Sequence, residues 1–214
     1  MRLEVIIPIG PGHEELARNA MESVRVASLQ KGEFDQVTIR AVDDSQGLAG
    51  RSAARNQGVR DSGAPWLFFM DADDLMHPEA LVNVSPYLEG WDAIWGAITE
   101  VDDYRVTWRY QVPRIETLRE LVAYDPYITI NMGHFVRREV ARVTPFNEDL
   151  DCGEDWDYYL RLWREVRCLK QRAPLLCNYR GRHSGGPRSA TGAQWGDVVR
   201  PMVEAERERL KATV

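Results

Sequence analysis

Five apolar residues, Trp66-Leu67-Phe68-Phe69-Met70, run without a break into Asp71-Ala72-Asp73-Asp74. An apolar run that short, ended by a polar cluster, reads as a buried strand. The pattern occurs twice upstream. Residues 3–9 end in the turn Pro8-Ile9-Gly10-Pro11-Gly12, and residues 37–42 stop at Asp43-Asp44-Ser45-Gln46-Gly47. Between these runs, Leu16, Ala20, Val24 and Ala27 recur at helical spacing within residues 14–29, and residues 49–59 form a second helical stretch. Residues 77–88 read as a third helix with Pro78 in its first turn. This alternation predicts an α/β fold of Rossmann-like type, with a mostly parallel central sheet flanked by helices. Such sheets bind ligands beyond the carboxyl ends of their strands. All three polar segments belong at that end.

The second half is less regular. Residues 92–100 and 104–112 read as two strands around Asp102-Asp103, forming a small mixed β region. Residues 115–123 suggest a short helix, and residues 154–166 a longer one with Trp156, Tyr159, Leu160 and Trp163 as its apolar stripe. A strand at residues 175–179 leads into a Gly-rich segment containing Arg182, His183 and Arg188, and a charged helix follows at residues 195–210. Without an internal repeat or a low-complexity linker, residues 1–214 read as one domain.

No stretch approaches the ~20 apolar residues that span a bilayer. Cys152, Cys168 and Cys177 are odd in number and form no CxxC pair, which points to a reducing, cytoplasmic setting and away from a disulfide framework or structural zinc. A net charge of −6 gives no electrostatic drive toward nucleic acid or anionic membrane.

Three carboxylates within four residues repel one another, and a hard divalent cation such as Mg²⁺ or Mn²⁺ resolves the repulsion through oxygen ligands. A solvated acidic turn is the competing reading. Asp43 and Asp44 can accept hydrogen bonds from a base edge or a ribose, or simply start an Asx turn. Arg51 and Arg55 lie four apart on one helix face, where they could approach a diphosphate or be ordinary surface residues. Glu154 and Asp155 open a helix, a setting that favours acidic residues and could hold a general base ionised.

These segments together resemble the family 2 glycosyltransferases of the GT-A fold. The likeness runs through Val5-Ile6-Ile7-Pro8, Val42-Asp43-Asp44-Ser45, Ala53-Ala54-Arg55-Asn56-Gln57-Gly58, Phe68-Phe69-Met70-Asp71-Ala72-Asp73-Asp74 and Gly153-Glu154-Asp155-Trp156-Asp157. The resemblance implies an inverting, metal-dependent hexosyltransferase using Mn²⁺ or Mg²⁺. Its donor would be a nucleotide sugar, most simply UDP-linked, held by Pro8, Asp43, Asp44, Arg51, Arg55, Asn56, Asp71, Ala72, Gly133, Glu154 and Arg182. Metal ligation would fall to Asp73 with Asp71 and His183, and base catalysis to Asp155. Asn131-Met132-Gly133-His134 would correspond to a glycine loop near the donor sugar. Residues of about 1–110 would bind nucleotide sugar and metal, about 111–190 acceptor and base, with a C-terminal helix at about 193–212.

The chain departs from the family pattern at Ile9-Gly10, where a threonine and an aromatic are usual. The acceptor hydroxyl could belong to a glycan, a lipid-linked glycan, a protein or, against the negative charge, a modified nucleobase. Trp91, Trp95, Trp108, Tyr124 and Tyr127 could supply a sugar platform, with core packing as the competing role. The chain could also form an oligomer, and Arg182 and Arg188 could close over the diphosphate as a lid. The alternatives are a sugar nucleotidyltransferase, or a non-catalytic module that binds nucleotide sugars.

Overall fold

The computed structural model describes residues 1–101, 106–108, 113–179 and 192–212. In chain order the elements are β1 (Arg2–Ile9), α1 (Glu14–Ala27), β2 (Gln36–Asp43), α2 (Arg51–Asp61), β3 (Trp66–Phe69), β4 (Asp74–Met76), α3 (Ala80–Val84), β5 (Ala93–Val101), β6 (Val106–Trp108), α4 (Leu118–Leu121), α5 (Pro126–Thr129), β7 (His134–Arg137), α6 (Arg138–Val143), α7 (Glu154–Glu165), β8 (Cys168–Tyr179) and α8 (Gly192–Ala212). Among the described residues, one sheet of order β2-β1-β3-β7-β5-β8-β4 holds all eight strands, with β6 paired to β5.

The parallel part is the predicted one. β1 pairs in parallel with β2 and with β3, placing Ile9 beside Asp43 and Ile6 beside Phe69. Leu3 to Ile7 on β1 and all of β3 are buried, because helices cover both faces of these strands. One face packs Val5, Ile7 and Phe68 against Ala17, Ala20 and Val24 of α1. The other packs Ile6, Leu67 and Phe69 in a cluster with Ala54, Val59, Trp156 and Tyr159. Gly58 lets α2 approach β1 this closely, since a Cβ there would lie 2.6 Å from Ile6 Cγ2.

Beyond β3 the sheet becomes mixed. β7 inserts antiparallel between β3 and β5, so β5 and β8 run in the same direction as β1–β3. This short central strand had no counterpart in the expected elements. The antiparallel β5–β6 pairing matches the expected mixed region, while residues 102–105 and 109–112 lie outside the described residues. β8 begins at Cys168, well before the expected residue 175. Its first half contains Lys170 and Gln171, polar side chains that are nonetheless buried, and Pro174 coincides with a register shift against β5. Polar sequence and a proline together hid the strand.

The segment after the acidic cluster also differs from expectation. Asp74–Met76 forms β4, antiparallel to β8, and the helix is confined to Ala80–Val84 before a 3₁₀ turn at Ser85–Tyr87. Pro86 accounts for the early stop, because it has no N–H for an α-helical bond. Pro78 therefore precedes the helix and is not in its first turn. Among the described residues, no helix is long and apolar enough to cross a membrane.

Candidate active site

Strand direction brings the predicted groups to one edge. The carboxyl ends of β1, β2 and β3 carry Pro8, Asp43-Asp44 and Asp71 to Asp74, and antiparallel β7 begins there at His134 beside Phe69.

The acidic cluster is a tight turn in which the Asp74 N–H donates to the Asp71 carbonyl at 3.2 Å. Ala72 is buried and anchors the turn to the core. Oxygens of Asp71, Asp73 and Asp74 lie within 4.8 Å of one another. Oxygen ligands about 2.1 Å from a Mg²⁺ ion lie roughly 3–4 Å apart, so small side-chain rotations bring these carboxylates into one coordination sphere. The donor set is all hard oxygen and fits such a cation. Asp74 is buried and accepts from Asn178 Nδ2 at 2.7 Å, which fixes it as the back of the turn. Asn178, on β8, carries no sequence signal that would single it out.

Arg55 joins this turn to the start of α7. It is buried, donating from Nη2 to Asp71 Oδ1 at 2.6 Å and from Nη1 to Glu154 Oε1 at 3.1 Å, with its guanidinium 5.2 Å from the Phe146 ring centre. Burial pulls its pKa down, but Asp71 and Glu154 outweigh that and raise it, so the cation persists. Where a diphosphate contact was expected, the terminal nitrogens of Arg55 face two protein carboxylates. Arg51, more exposed, places Nε 3.5 Å from the same Glu154 oxygen. Asn56 likewise serves the scaffold, donating to the Phe146 carbonyl and Glu148 and accepting from the Phe146 N–H.

Asp155 follows Glu154 in the first turn of α7. Gly153 precedes them in the left-handed conformation at φ +76°, and a Cβ there would approach Val198 Cγ1 to 2.9 Å. Glycine is required on both counts. Asp155 Oδ1 accepts from the Trp156 N–H at 2.8 Å and from Trp195 Nε1 at 3.4 Å. Both bonds fall on Oδ1, which orients the carboxylate and leaves Oδ2 as the oxygen able to take a proton. Burial, with the neighbouring Glu154 charge, pushes the pKa up to about 7, against the opposing pull of the Trp156 N–H. A carboxylate of that basicity suits a general base.

Asp44 accepts from the N–H groups of Ala49 and Gly50 and so closes the loop leading into α2. Asp43 forms an Asx turn with the Ser45 N–H, which lowers its pKa. Pro8 is buried beside Val42. Gly133 packs against Leu176, where a Cβ would come within 2.6 Å, so its smallness is used for packing of the sheet. His134 is a core residue stacked on Trp95 at 4.6 Å, and burial drives its pKa down to about 3. Trp95 is also core. Arg182, His183, Arg188 and the lid assigned to their segment lie outside the described residues. All three cysteines are free thiols.

Residues 26–142, more than half of the chain, match the model described as glycosyl transferase family 2. An uncharacterized glycosyltransferase of Methanocaldococcus jannaschii is 23% identical over 146 residues, covering 62% of this chain and 50% of the relative. The succinoglycan biosynthesis protein ExoU of Rhizobium meliloti is 27% identical over 167 residues, covering 65% and 48%. The chain spans about half the length of these curated relatives. Among solved structures, S. aureus TarS in complex with UDP-GlcNAc superposes with a TM-score of 0.67 at 14% identity, covering 96% of this chain and 66% of that one.

Proposed function

The chain belongs to glycosyl transferase family 2 and has its GT-A fold, and from that premise we propose that it transfers a sugar from a nucleotide-sugar donor to an acceptor hydroxyl, with inversion. One observation carries the reading: a single buried guanidinium, that of Arg55, holds Asp71 at 2.6 Å and Glu154 at 3.1 Å. This contact supports reading the acidic turn and the start of α7, remote in sequence, as one site.

In this reading the donor lies across the carboxyl ends of β1–β3, with its base toward Asp44 and its diphosphate toward the acidic turn. Asp73, with Asp71, would hold a divalent cation, which supplies charge neutralisation for the departing diphosphate. Asp155 Oδ2 takes the acceptor proton while the acceptor oxygen attacks the anomeric carbon from the face opposite the leaving group. Arg55 keeps the turn and the base in register without touching either substrate. Because TarS binds UDP-GlcNAc, a UDP-linked donor is the first to try.

A screen of nucleotide sugars with Mn²⁺, reading released nucleoside diphosphate or pyrophosphate, tests the assignment. Release of UDP is expected. Pyrophosphate would mark a nucleotidyltransferase, and no turnover with any donor would mark a binding module.

A further inference from the structure

A concave surface lies at the end of the sheet opposite the acidic turn. A cavity of about 650 Å³ opens there, between the start of β1, the chain leading into β3 and the junction of β7 with α6. Arg137 pairs with Trp66 across the sheet, which places the cavity at the amino end of β3. β1 has eight residues, and at about 3.3 Å per residue it puts roughly 20 Å between the two ends of the sheet.

Four arginines line the cavity: Arg2, Arg137, Arg138 and Arg142. This runs against the net charge of −6, and like charges held together repel unless an anion is shared among them. Arg137 is neutralised, with Nε 3.3 Å from Asp92 Oδ1 and its guanidinium stacked 4.8 Å from the Trp66 ring centre. Arg2 Nη2 donates at 2.8 Å to the Gly63 carbonyl, a neutral acceptor. Arg138 and Arg142 lie four apart on α6 and share one helix face. Among the described residues, neither has a carboxylate partner. Arg138 Nε is also buried without a hydrogen bond, a donor that costs stability until something accepts from it. Two carboxylates stand on the wall. Asp35 is taken by the Met1 ammonium at 2.7 Å, and Glu139 is exposed. Three guanidiniums against one carboxylate leave an excess of two positive charges.

Charge, donor geometry and volume together select the occupant. Guanidinium groups hold phosphate through paired N–H donors, and a phosphate monoester carries close to two negative charges above neutral pH. A cavity of this volume suits a small molecule. We propose that it binds a soluble phosphate monoester at a site remote from the acidic turn, with Arg138, Arg142 and Arg2 supplying the charge that holds the phosphate. The site stands or falls independently of the transferase reading.

Titration calorimetry of the whole chain at alkaline pH and constant ionic strength tests this. Inorganic phosphate and a hexose 6-phosphate are the probes, and acetate is the monoanion for comparison. A chelator in every titration keeps divalent cations from the acidic turn, whose carboxylates then repel phosphate. One phosphate per chain should bind, more tightly than acetate. A lost charge-assisted hydrogen bond corresponds to about tenfold or more in affinity, so Arg138→Gln should weaken both phosphate probes by at least about that factor. Arg142→Gln, at an exposed position, should weaken them in the same direction, and Glu139→Gln should tighten them by removing the opposing charge. If Arg138→Gln does not fold, opposite shifts in Arg142→Gln and Glu139→Gln support the site, and no shift in either overturns it. Failure of both phosphate probes to bind, acetate binding as tight as phosphate, or an affinity unmoved by both arginine variants overturns the proposal. So does binding confined to phosphatidic acid vesicles, which would make this face a membrane contact.

Discussion

A guanidinium with so little exposed surface needs its charge compensated, and Arg55 has both terminal nitrogens on carboxylates. Lysine keeps the charge but cannot reach two carboxylates with a fixed fork. Truncation leaves two facing anions without their cation, and breaking such a buried pair costs about 3–5 kcal/mol. Arg55→Met is therefore expected to lower the unfolding free energy by an amount in that range, read as a lower urea midpoint at unchanged slope, and Arg55→Lys by a smaller amount. Asp155 behaves in the opposite way. Its folded pKa of about 7 lies above the unfolded carboxyl value, so ionising it costs stability as pH rises through the interval between the two. Asp155→Asn removes that cost. The variant should melt at nearly the native temperature near pH 4 and at a higher one at pH 8, where the native carboxyl is mostly ionised. A native-like or lower melting temperature at pH 8 would show that the carboxyl is not strained by burial. The placement of Asp71 and Asp73 at a strand end and of Asp155 in a first helical turn was legible in the sequence, because crowded carboxylates repel one another unless a cation or a helix terminus offsets the charge, while the roles proposed for them come from the family resemblance. The contacts of Arg55 and Asn56 were not legible, since a polar helix gives no sign of which face is buried until its partners, 90 to 99 residues away at Phe146, Glu148 and Glu154, are placed.

Elements written as apolar runs between turns were readable: β1, α1, β2, α2 and β3 fall within a few residues of expectation. Those that contradict local pattern were not. β7 is only four residues long and contains a histidine and an arginine, and β8 buries Lys170 and Gln171 around a proline. Their burial is dictated by neighbours in the sheet, which a local window does not contain. β4 was hidden for another reason: Asp74, read as the tail of an acidic loop, is its first residue and is bound to β8 through Asn178. The start of α7 carries the element-scale prediction. Gly153→Ala meets both a left-handed backbone, costing a non-glycine residue about 1–2 kcal/mol, and the Val198 side chain. The variant should lose at least that much stability in urea titration. It should also lose kcat beyond what lower stability accounts for, because Asp155 is displaced with the helix start. Stability lost with kcat retained would mean that α7 does not set the position of the base.

At the scale of the molecule, the fold places the carboxyl edge of three parallel strands beside the helix that opens with Glu154 and Asp155, and Arg55 ties the two. The overall charge of −6 is unfavourable to a diphosphate, and the proposed cation at the acidic turn would offset it. UDP with Mn²⁺ should raise the melting temperature, UDP with a chelator should not, and Asp73→Ala should abolish the difference. A UDP-induced rise that survives chelation would remove the metal from the account.

The claim on which the rest depends is that Asp155 is the base and the acidic turn the anchor, two functions in one site. Transfer rate and Mn²⁺-dependent UDP affinity, measured side by side for Asp155→Asn, test it most directly. A lost general base lowers the rate by about 10²–10⁴-fold, and UDP affinity should stay within about threefold of native. Transfer by Asp155→Asn at the native rate would contradict the account.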